Sequence, residues 1–543
     1  MDMTRRTVLD STVDILLAHG LTTVFGNPGS NELPFLAGLP KDKFDYVLGL
    51  QEGVVVGMAD GYAQSTGKAV LVSLHAASGT GNAMGALTNA HYSHSPLVLL
   101  AGQQIRGTVG QEVMLSNVDA SILPRPLVKY SHEPLAASDV PRAVSQAILE
   151  ASTHPKGPVY LSVPYDDWAA EALPSDSLLP KRRVNTAGSL SNAQLVDIKA
   201  ILSRSSSPVV VVGPDVDAAR AQQHVAKIAE RLGAPVWIAP SAPRCPFPTT
   251  HTHYRGLLHP GIESVRSKLE GHDLVLLLGA PAMRYHRWEP GEYLPDGTEV
   301  IHLTCDPKEA TRAPYGTAWV VELLDALAQL ADVIEDRIVH LDPRTIPSSG
   351  ADGTLTGTKI LDVLAAAGEE VPTPSGTRPI TYVNECTTLD LLFLDRVPIT
   401  SPGGYHFPAS GGLGFGMPAA VGVSLGRPGA TVVAVIGDGS ANYGITALYT
   451  AAQRQTRTVF VIVNNGSYGA LRGFAKRLNA LDAPGLDVPG IDFVSIATGY
   501  GVPATRVTTV NGFQTAYLDA LRAEGPVLVE AVAGNSQATL ELS

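Results

Sequence analysis

The stretch Val432-Val433-Ala434-Val435-Ile436-Gly437-Asp438-Gly439-Ser440-Ala441-Asn442 sets an apolar run directly before a glycine-flanked carboxylate. A short β-branched run of this kind reads as a buried strand, and the small polar residues after it open a helix. At such a junction Gly-Asp-Gly-Ser lets backbone N–H groups approach a phosphate. The Asp438 carboxylate would repel that phosphate unless a cation lay between them. A Mg²⁺ held by few protein oxygens plus phosphate oxygens meets that requirement. A second run, Val459–Val463, leads into Asn464-Asn465-Gly466-Ser467-Tyr468-Gly469. The side-chain oxygens of Asn465 and Ser467, 27 and 29 positions after Asp438, would complete the set. Alone, Gly-Asp-Gly is a turn with an Asp at a helix cap. With the second cluster, the reading becomes a diphosphate and its metal.

The same alternation of strand-like runs and amphipathic stretches fills the 543-residue chain, which at about 150 residues per domain holds three or four. It argues βαβ units and parallel sheets. Expected strands are Thr22–Phe25, Tyr46–Leu50, Val70–Leu74, Leu97–Ala101 and Val159–Val163, with helices over Gly53–Gln64 and Asn82–Tyr92. A polar linker, Ala169–Asn192, precedes a second unit that begins with the run Pro208–Gly213, has strands Leu274–Leu278 and Val300–Leu303 and a helix over Asp217–Arg231. After a break at 342–357, the third unit has strands Tyr382–Val383, Val432–Ile436, Val459–Val463 and Val527–Val532. The expected fold class is α/β, with three doubly wound parallel-sheet domains over residues 1–180, 181–343 and 344–543. The first and third units close on similar strands, Gly157-Pro158-Val159 and Gly525-Pro526-Val527, and are expected to be related.

Composition excludes several classes. With 45% hydrophobic and 17% charged residues the chain buries a core. Acidic residues outnumber basic ones 51 to 39 and no basic run occurs, so nucleic acid and anionic membranes are not expected partners. No 18-residue apolar stretch or signal-peptide core is present. Three scattered cysteines, Cys245, Cys305 and Cys386, exclude a disulfide framework or a cysteine-built zinc site. A soluble, multidomain protein of the cytoplasm is expected.

Ligands of parallel α/β sheets sit beyond the carboxyl ends of the strands. Those positions here carry GNPGSNELPF (26–35), LQE (50–52), LHAASGTGNAMGAL (74–87), GGLGFGMPAA (411–420) and NNGSYGALR (464–472). Together with Gly-Asp-Gly-Ser, these motifs resemble the thiamine-diphosphate enzymes along almost the whole chain, and within them the benzoylformate decarboxylases. The resemblance implies a pyrimidine-binding N-terminal domain, a Rossmann-like middle domain and a diphosphate-binding C-terminal domain. It further implies thiamine diphosphate and Mg²⁺ as cofactors and a homotetramer with active sites between subunits. The implied activity is non-oxidative decarboxylation of an aryl 2-oxo acid, benzoylformate first, with carboligation of aldehydes as a side capacity.

By that resemblance Glu52 would hydrogen-bond the aminopyrimidine ring, and Leu413 would support the bent cofactor. Asn27, Pro28, Gly29, Thr387, Thr388, Gly411, Gly412, Gly437, Asp438, Gly439, Ser440, Asn465, Ser467, Tyr468, Gly469 and Ala470 would line the cofactor site. The metal would rest on Asp438, Asn465 and Ser467. Ser30 would bind the substrate carboxylate, His75 would exchange protons at its carbonyl oxygen, and His286 would return a proton after CO₂ leaves, since imidazoles titrate near neutrality. Without the family context, Glu52 is a first-turn helix carboxylate, Ser30 an N-cap and His75 a buried histidine. Met114, Leu115, Phe407, Pro408, Ala470, Leu471 and Phe474 are the expected substrate pocket. Pro408 and Gly473 depart from the family pattern, and Ile122 stands where a polar residue would serve a second cation, so none is expected. The remaining alternatives are an acyloin lyase or carboligase, a decarboxylase of another 2-oxo acid, and an inactive cofactor-binding relative. A nicotinamide dehydrogenase would leave Asp438 and Asn465 without a purpose.

Overall fold

The structure, a computed structural model, describes residues 5–186, 188–283, 289–337, 339, 341–342, 344–346, 348–349, 354–373 and 376–534. Its β-branched runs are fully buried, as strands covered on both faces require. They form three sheets. The first runs in the order Asp45–Leu48, Thr23–Gly26, Val70–Leu74, Leu97–Gln103, Val159–Pro164, Tyr130–His132, parallel throughout. The third repeats that order with Tyr405–His406, Gly376–Glu385, Thr431–Gly437, Thr458–Asn464, Val527–Val532 and Ala504–Val507. The echo between first and third units is thus a shared topology. The middle sheet places Thr317–Val320, Glu299–Thr304, Leu274–Leu278, Pro208–Val212, Val236–Ile238 and Tyr254–Leu257 side by side, all parallel. Outward from its first strand, this is the 3-2-1-4-5-6 order of dinucleotide-type folds.

Three expectations need correction. The segment Asp217–Arg231 is two helices, Pro214–Ala218 and Gln222–Leu232, with Arg220 at φ 55° between them. The cause is tertiary: buried Asp217 accepts hydrogen bonds from Gln222, Arg244 and the Gly403 N–H, which fixes the chain where a helix would continue. The strand read at Tyr382–Val383 extends over Gly376–Glu385, and its first residues pair antiparallel with Glu370–Thr373, so the third sheet is not wholly parallel. The helix expected from Asn82 begins at Ala76. In its first turns Ser78, Gly79, Thr80 and Gly81 carry weak helix propensity and hid it.

The first and third sheets meet through helices Glu52–Thr66 and Gly416–Gly426. Their glycines bring backbone onto backbone: a Cβ on Gly61 would lie 2.2 Å from the Ala419 carbonyl oxygen, and one on Gly422 only 1.8 Å from that of Met58. Both helices belong to one apolar core that includes Val55, Met58, Phe415, Val421 and Phe460.

Candidate active site

Two clusters gather at the carboxyl ends of the first and third sheets. In the first, Glu52 opens its helix, 7% exposed. Asn27 Nδ2 donates to Glu52 Oε1 at 3.2 Å and Asn82 Nδ2 donates to Oε2 at 3.0 Å, so both carboxylate oxygens are oriented. Gly79 permits this approach, since a Cβ there would stand 3.3 Å from Glu52 Cγ and 3.4 Å from His75 Cβ. His75 immediately precedes the helix Ala76–Tyr92. Its Nδ1 lies 2.9 Å from Oε2 of Glu32, a carboxylate only 3% exposed that also accepts the N–H groups of Gly29 (2.9 Å) and Gly102 (3.0 Å). Gly29 presses against the imidazole, where a Cβ would fall 2.0 Å from Nδ1. Ser30 is exposed in a 3₁₀ turn, its hydroxyl donating to Asn31 Oδ1. Gly29, not Ser30, is the cap of that turn.

In the second cluster, buried Asp438 accepts N–H groups from Gly439 (2.8 Å), Asn465 (3.1 Å) and Gly466 (2.7 Å). Burial raises its pKa above the usual carboxylate value, against the pull of these donors. Asn465 Oδ1 accepts the Ser467 N–H at 3.0 Å, and the buried Ser467 Oγ has no partner. An acid, an amide and an orphaned hydroxyl on one pair of adjoining loops form a hard-oxygen set that fits a small divalent cation. Gly439 leaves room for the Tyr468 ring, 2.4 Å from where its Cβ would be, and Gly469 for Thr388, at 2.5 Å. Thr387 follows the strand Gly376–Glu385, next to Thr388.

The segment carrying Gly411, Gly412 and Leu413 connects the clusters. Asn89, on the helix of Asn82, donates to the Gly412 carbonyl at 2.8 Å and accepts from Ser410 N (3.1 Å) and Oγ (2.6 Å). Buried Glu385 accepts the N–H groups of Gly414, Phe415 and Gly416 on the far side of Leu413. Among the described residues no hydrogen bond joins Glu52 or His75 to Asp438, Asn465 or Ser467.

The expected pocket residues are spread out. Phe407 and Pro408 are buried; Met114 is 84% and Leu471 49% exposed. Leu115 and Ala470 are half-buried, and Phe474 lies under the Arg477 guanidinium at 4.6 Å. His286 lies outside the described residues. Sequence reading missed Glu32, Asn82, Asn89 and Glu385. Glu32 had a local signal, the capping spacing three residues after Gly29; the others act across 29 or more positions.

Three family models match the chain: the thiamine pyrophosphate enzyme N-terminal TPP binding domain over residues 6–122, the central domain over 195–330 and the C-terminal TPP binding domain over 390–531. The benzoylformate decarboxylase of Pseudomonas aeruginosa is 52% identical over 97% of this chain and 98% of its own. The chain belongs to the thiamine pyrophosphate enzymes. Solved members of the family superimpose over nearly its full length. The thiamine diphosphate-dependent 4-hydroxybenzoylformate decarboxylase of Rhodococcus jostii RHA1 matches with a TM-score of 0.94 and 53% identity, covering 98% of this chain and 100% of that one. The benzoylformate decarboxylase of Polynucleobacter necessarius gives 0.92 and 36%, covering 97% and 99%. The Glu52–His75 cluster falls in the N-terminal TPP binding match and the Asp438–Asn465 cluster in the C-terminal one. Among the described residues no helix is long and apolar enough to cross a membrane.

Proposed function

We propose that the chain is a thiamine-diphosphate- and Mg²⁺-dependent decarboxylase of aryl 2-oxo acids, converting benzoylformate to benzaldehyde and CO₂. The observation that carries this reading is the buried Glu52 carboxylate, oriented from both sides by Asn27 and Asn82 beside a histidine–carboxylate pair. A first-turn carboxylate serving only the helix dipole would face solvent; this one is withdrawn from it and aimed.

Bound thiamine diphosphate supplies the electron sink that decarboxylation of a 2-oxo acid needs and that no side chain offers. Asp438, Asn465 and Ser467 hold its Mg²⁺, with Thr387, Thr388, Gly437, Gly439, Ser440, Tyr468, Gly469 and Ala470 around the diphosphate. Glu52 holds a proton with an aminopyrimidine nitrogen; Asn27, Pro28, Gly29, Gly411, Gly412 and Leu413 shape the rest of the site. Ser30 binds the substrate carboxylate through its exposed hydroxyl. His75, with Nδ1 turned to Glu32, presents Nε2 to the substrate carbonyl oxygen and moves a proton there. His286 returns the last proton. Met114, Leu115, Phe407, Pro408, Ala470, Leu471 and Phe474 exclude water from the aryl ring.

The protein works in the cytoplasm as a homotetramer with sites between subunits. Two features support this assembly: among the described residues the clusters share no hydrogen bond within one chain, and Met114, Leu471, Leu478 and Leu481 leave large apolar surfaces exposed. Purified apoprotein with benzoylformate, with and without thiamine diphosphate and Mg²⁺, tests the reading through coupled detection of benzaldehyde. Turnover that needs both additions is expected. Cofactor binding without turnover of benzoylformate or 4-hydroxybenzoylformate would refute the substrate class.

A further inference from the structure

Glu385 ends the strand Gly376–Glu385 and is fully buried. Its Oε1 accepts the N–H groups of Gly414 (2.5 Å) and Phe415 (3.2 Å), and its Oε2 accepts that of Gly416 (2.7 Å). These bonds come from the backbone, with no Lys or Arg in the set. A buried carboxylate without a cation is costly, and an apolar side chain in its place would spare that cost. Burial pushes the Glu385 carboxyl up to about 7.

The geometry around it explains what the carboxylate is for. Gly414 holds φ +98°, a backbone shape that suits glycine, and a Cβ on Gly416 would fall 2.7 Å from Glu385 Cβ. The segment through Leu413 is therefore shaped to wrap this one side chain. In the sheet Glu385 is in register with Ile436, just before Gly437 and Asp438. Three residues after it, Thr388 packs against Gly469 of the Asn465 loop. Glu385 thus stands where the Leu413 segment, the Asp438 turn and the Thr387–Thr388 turn converge.

We propose that Glu385 is a positioning residue that locks the Leu413 segment against the diphosphate-binding turns and so sets the shape in which thiamine diphosphate is bound. This rests on the reading of Leu413 as the support of the cofactor. The test titrates thiamine diphosphate into the full-length protein at pH 8 with excess Mg²⁺, following intrinsic fluorescence and the near-ultraviolet circular dichroism of the bound cofactor. Wild type, Glu385→Gln, Glu385→Asp, Leu413→Ala and the Glu385→Gln/Leu413→Ala double variant are compared. Glu385→Gln puts an N–H group against N–H donors and is expected to weaken cofactor binding roughly tenfold and to alter the dichroism band. In the Leu413→Ala background the same change is expected to cost less than about threefold, because both act through one segment. Glu385→Asp, charged but one methylene short, is expected to follow Glu385→Gln and decides the matter if the latter does not fold. Cofactor affinity and dichroism that stay unchanged in a folded variant, or an equal loss in the Leu413→Ala background, would overturn the proposal. A wild type that binds no thiamine diphosphate would instead overturn the functional reading on which it stands.

Discussion

Gly29→Ala tests the geometry of the acid–base cluster with the smallest possible change. The backbone at Gly29 has φ −122° and ψ −174°, extended values that alanine adopts freely, so no conformational penalty enters. The added methyl group would lie 2.0 Å from His75 Nδ1 and 2.3 Å from both Cε1 and Cγ. Restoring ordinary contact moves the ring away by about 1.0–1.5 Å. The 2.9 Å contact between His75 and Glu32 cannot survive that displacement. Nor can the loop swing instead, because the Gly29 N–H is tied to the same Glu32 oxygen at 2.9 Å. Misplacing a proton-transfer group by about 1 Å costs on the order of 10²-fold in rate, and overpacking destabilises by about 1–3 kcal/mol. Steady-state kinetics of the cofactor-loaded variant should therefore show kcat lowered about 10²-fold, with thiamine diphosphate affinity within about threefold of wild type. Gly81→Ala is the control: it sits in the neighbouring helix with nothing within 4 Å of its Cβ and should keep full activity. If Gly29→Ala turned over benzoylformate within about twofold of wild type, the placement of His75 beside the reacting carbonyl would be wrong.

Glu52→Gln should abolish turnover while thiamine diphosphate and Mg²⁺ still bind; full activity would refute the assignment of Glu52 to the aminopyrimidine. Ala470→Ile should narrow the pocket and move the benzoylformate to pyruvate ratio of kcat/KM toward pyruvate, and an unmoved ratio counts against Ala470 as pocket wall. Asn89→Ala strips partners from Ser410 and the Gly412 carbonyl and should destabilise by about 2–3 kcal/mol in urea unfolding while weakening cofactor binding; unchanged cofactor affinity would separate this link from the site. Glu385 also predicts a pH dependence. Its folded value of about 7 exceeds the ordinary glutamate value of about 4.3, so the folded state binds the extra proton. The stability it contributes is complete below about pH 4.3 and is lost as pH rises through 7. Between pH 5 and 8, wild type should therefore lose up to roughly 3 kcal/mol of stability relative to Glu385→Gln, and a gap independent of pH would show that the carboxyl is not held in its raised state.

Legibility in the sequence followed the range of the forces involved. The central strands could be read because burial on both faces leaves continuous Val, Ile and Leu runs, as in Val209–Val212 and Leu274–Leu278. Edge strands such as Tyr130–His132, Tyr254–Leu257 and Ala504–Val507 carry no such run, since part of each faces solvent. The grouping of Asp438, Asn465 and Ser467 could be expected because a strand and the turn after it announce each within a few residues, and the structure brings the three onto adjoining loops. The groups that orient the site were not. Glu32 meets Gly102 across 70 positions, Asn82 meets Glu52 across 30 and Asn89 meets Gly412 across 323. An asparagine in a helix looks the same in sequence whether its amide meets water or a carboxylate.

The repeated strand order explains why the chemistry divides as it does. In both sheets the polar groups follow equivalent strands: Asn27 and Gly29 come after the first sheet's Thr23–Gly26, and Thr387 and Thr388 after the third's Gly376–Glu385; His75 corresponds in the same way to Asp438. One scaffold thus offers two sets of loops at its carboxyl edges. The first set holds a carboxylate and an imidazole oriented by further side chains; the second holds glycines and the hard oxygens of Asp438, Asn465 and Ser467, the set proposed to take the diphosphate and its cation. Each cluster keeps its oriented acids shielded, Glu32 and Glu52 in one and Glu385 and Asp438 in the other. What passes between them in a single chain is mechanical: the glycine crossing of Glu52–Thr66 with Gly416–Gly426, and the Asn89 clamp on Ser410 and Gly412. A shift of the Asn89 clamp would move Ser410 and Gly412, and a shift of the glycine crossing would move Gly416 and its N–H bond to Glu385, so within one chain the placement of Leu413 is set jointly by helix packing and by the Glu385 hydrogen bonds.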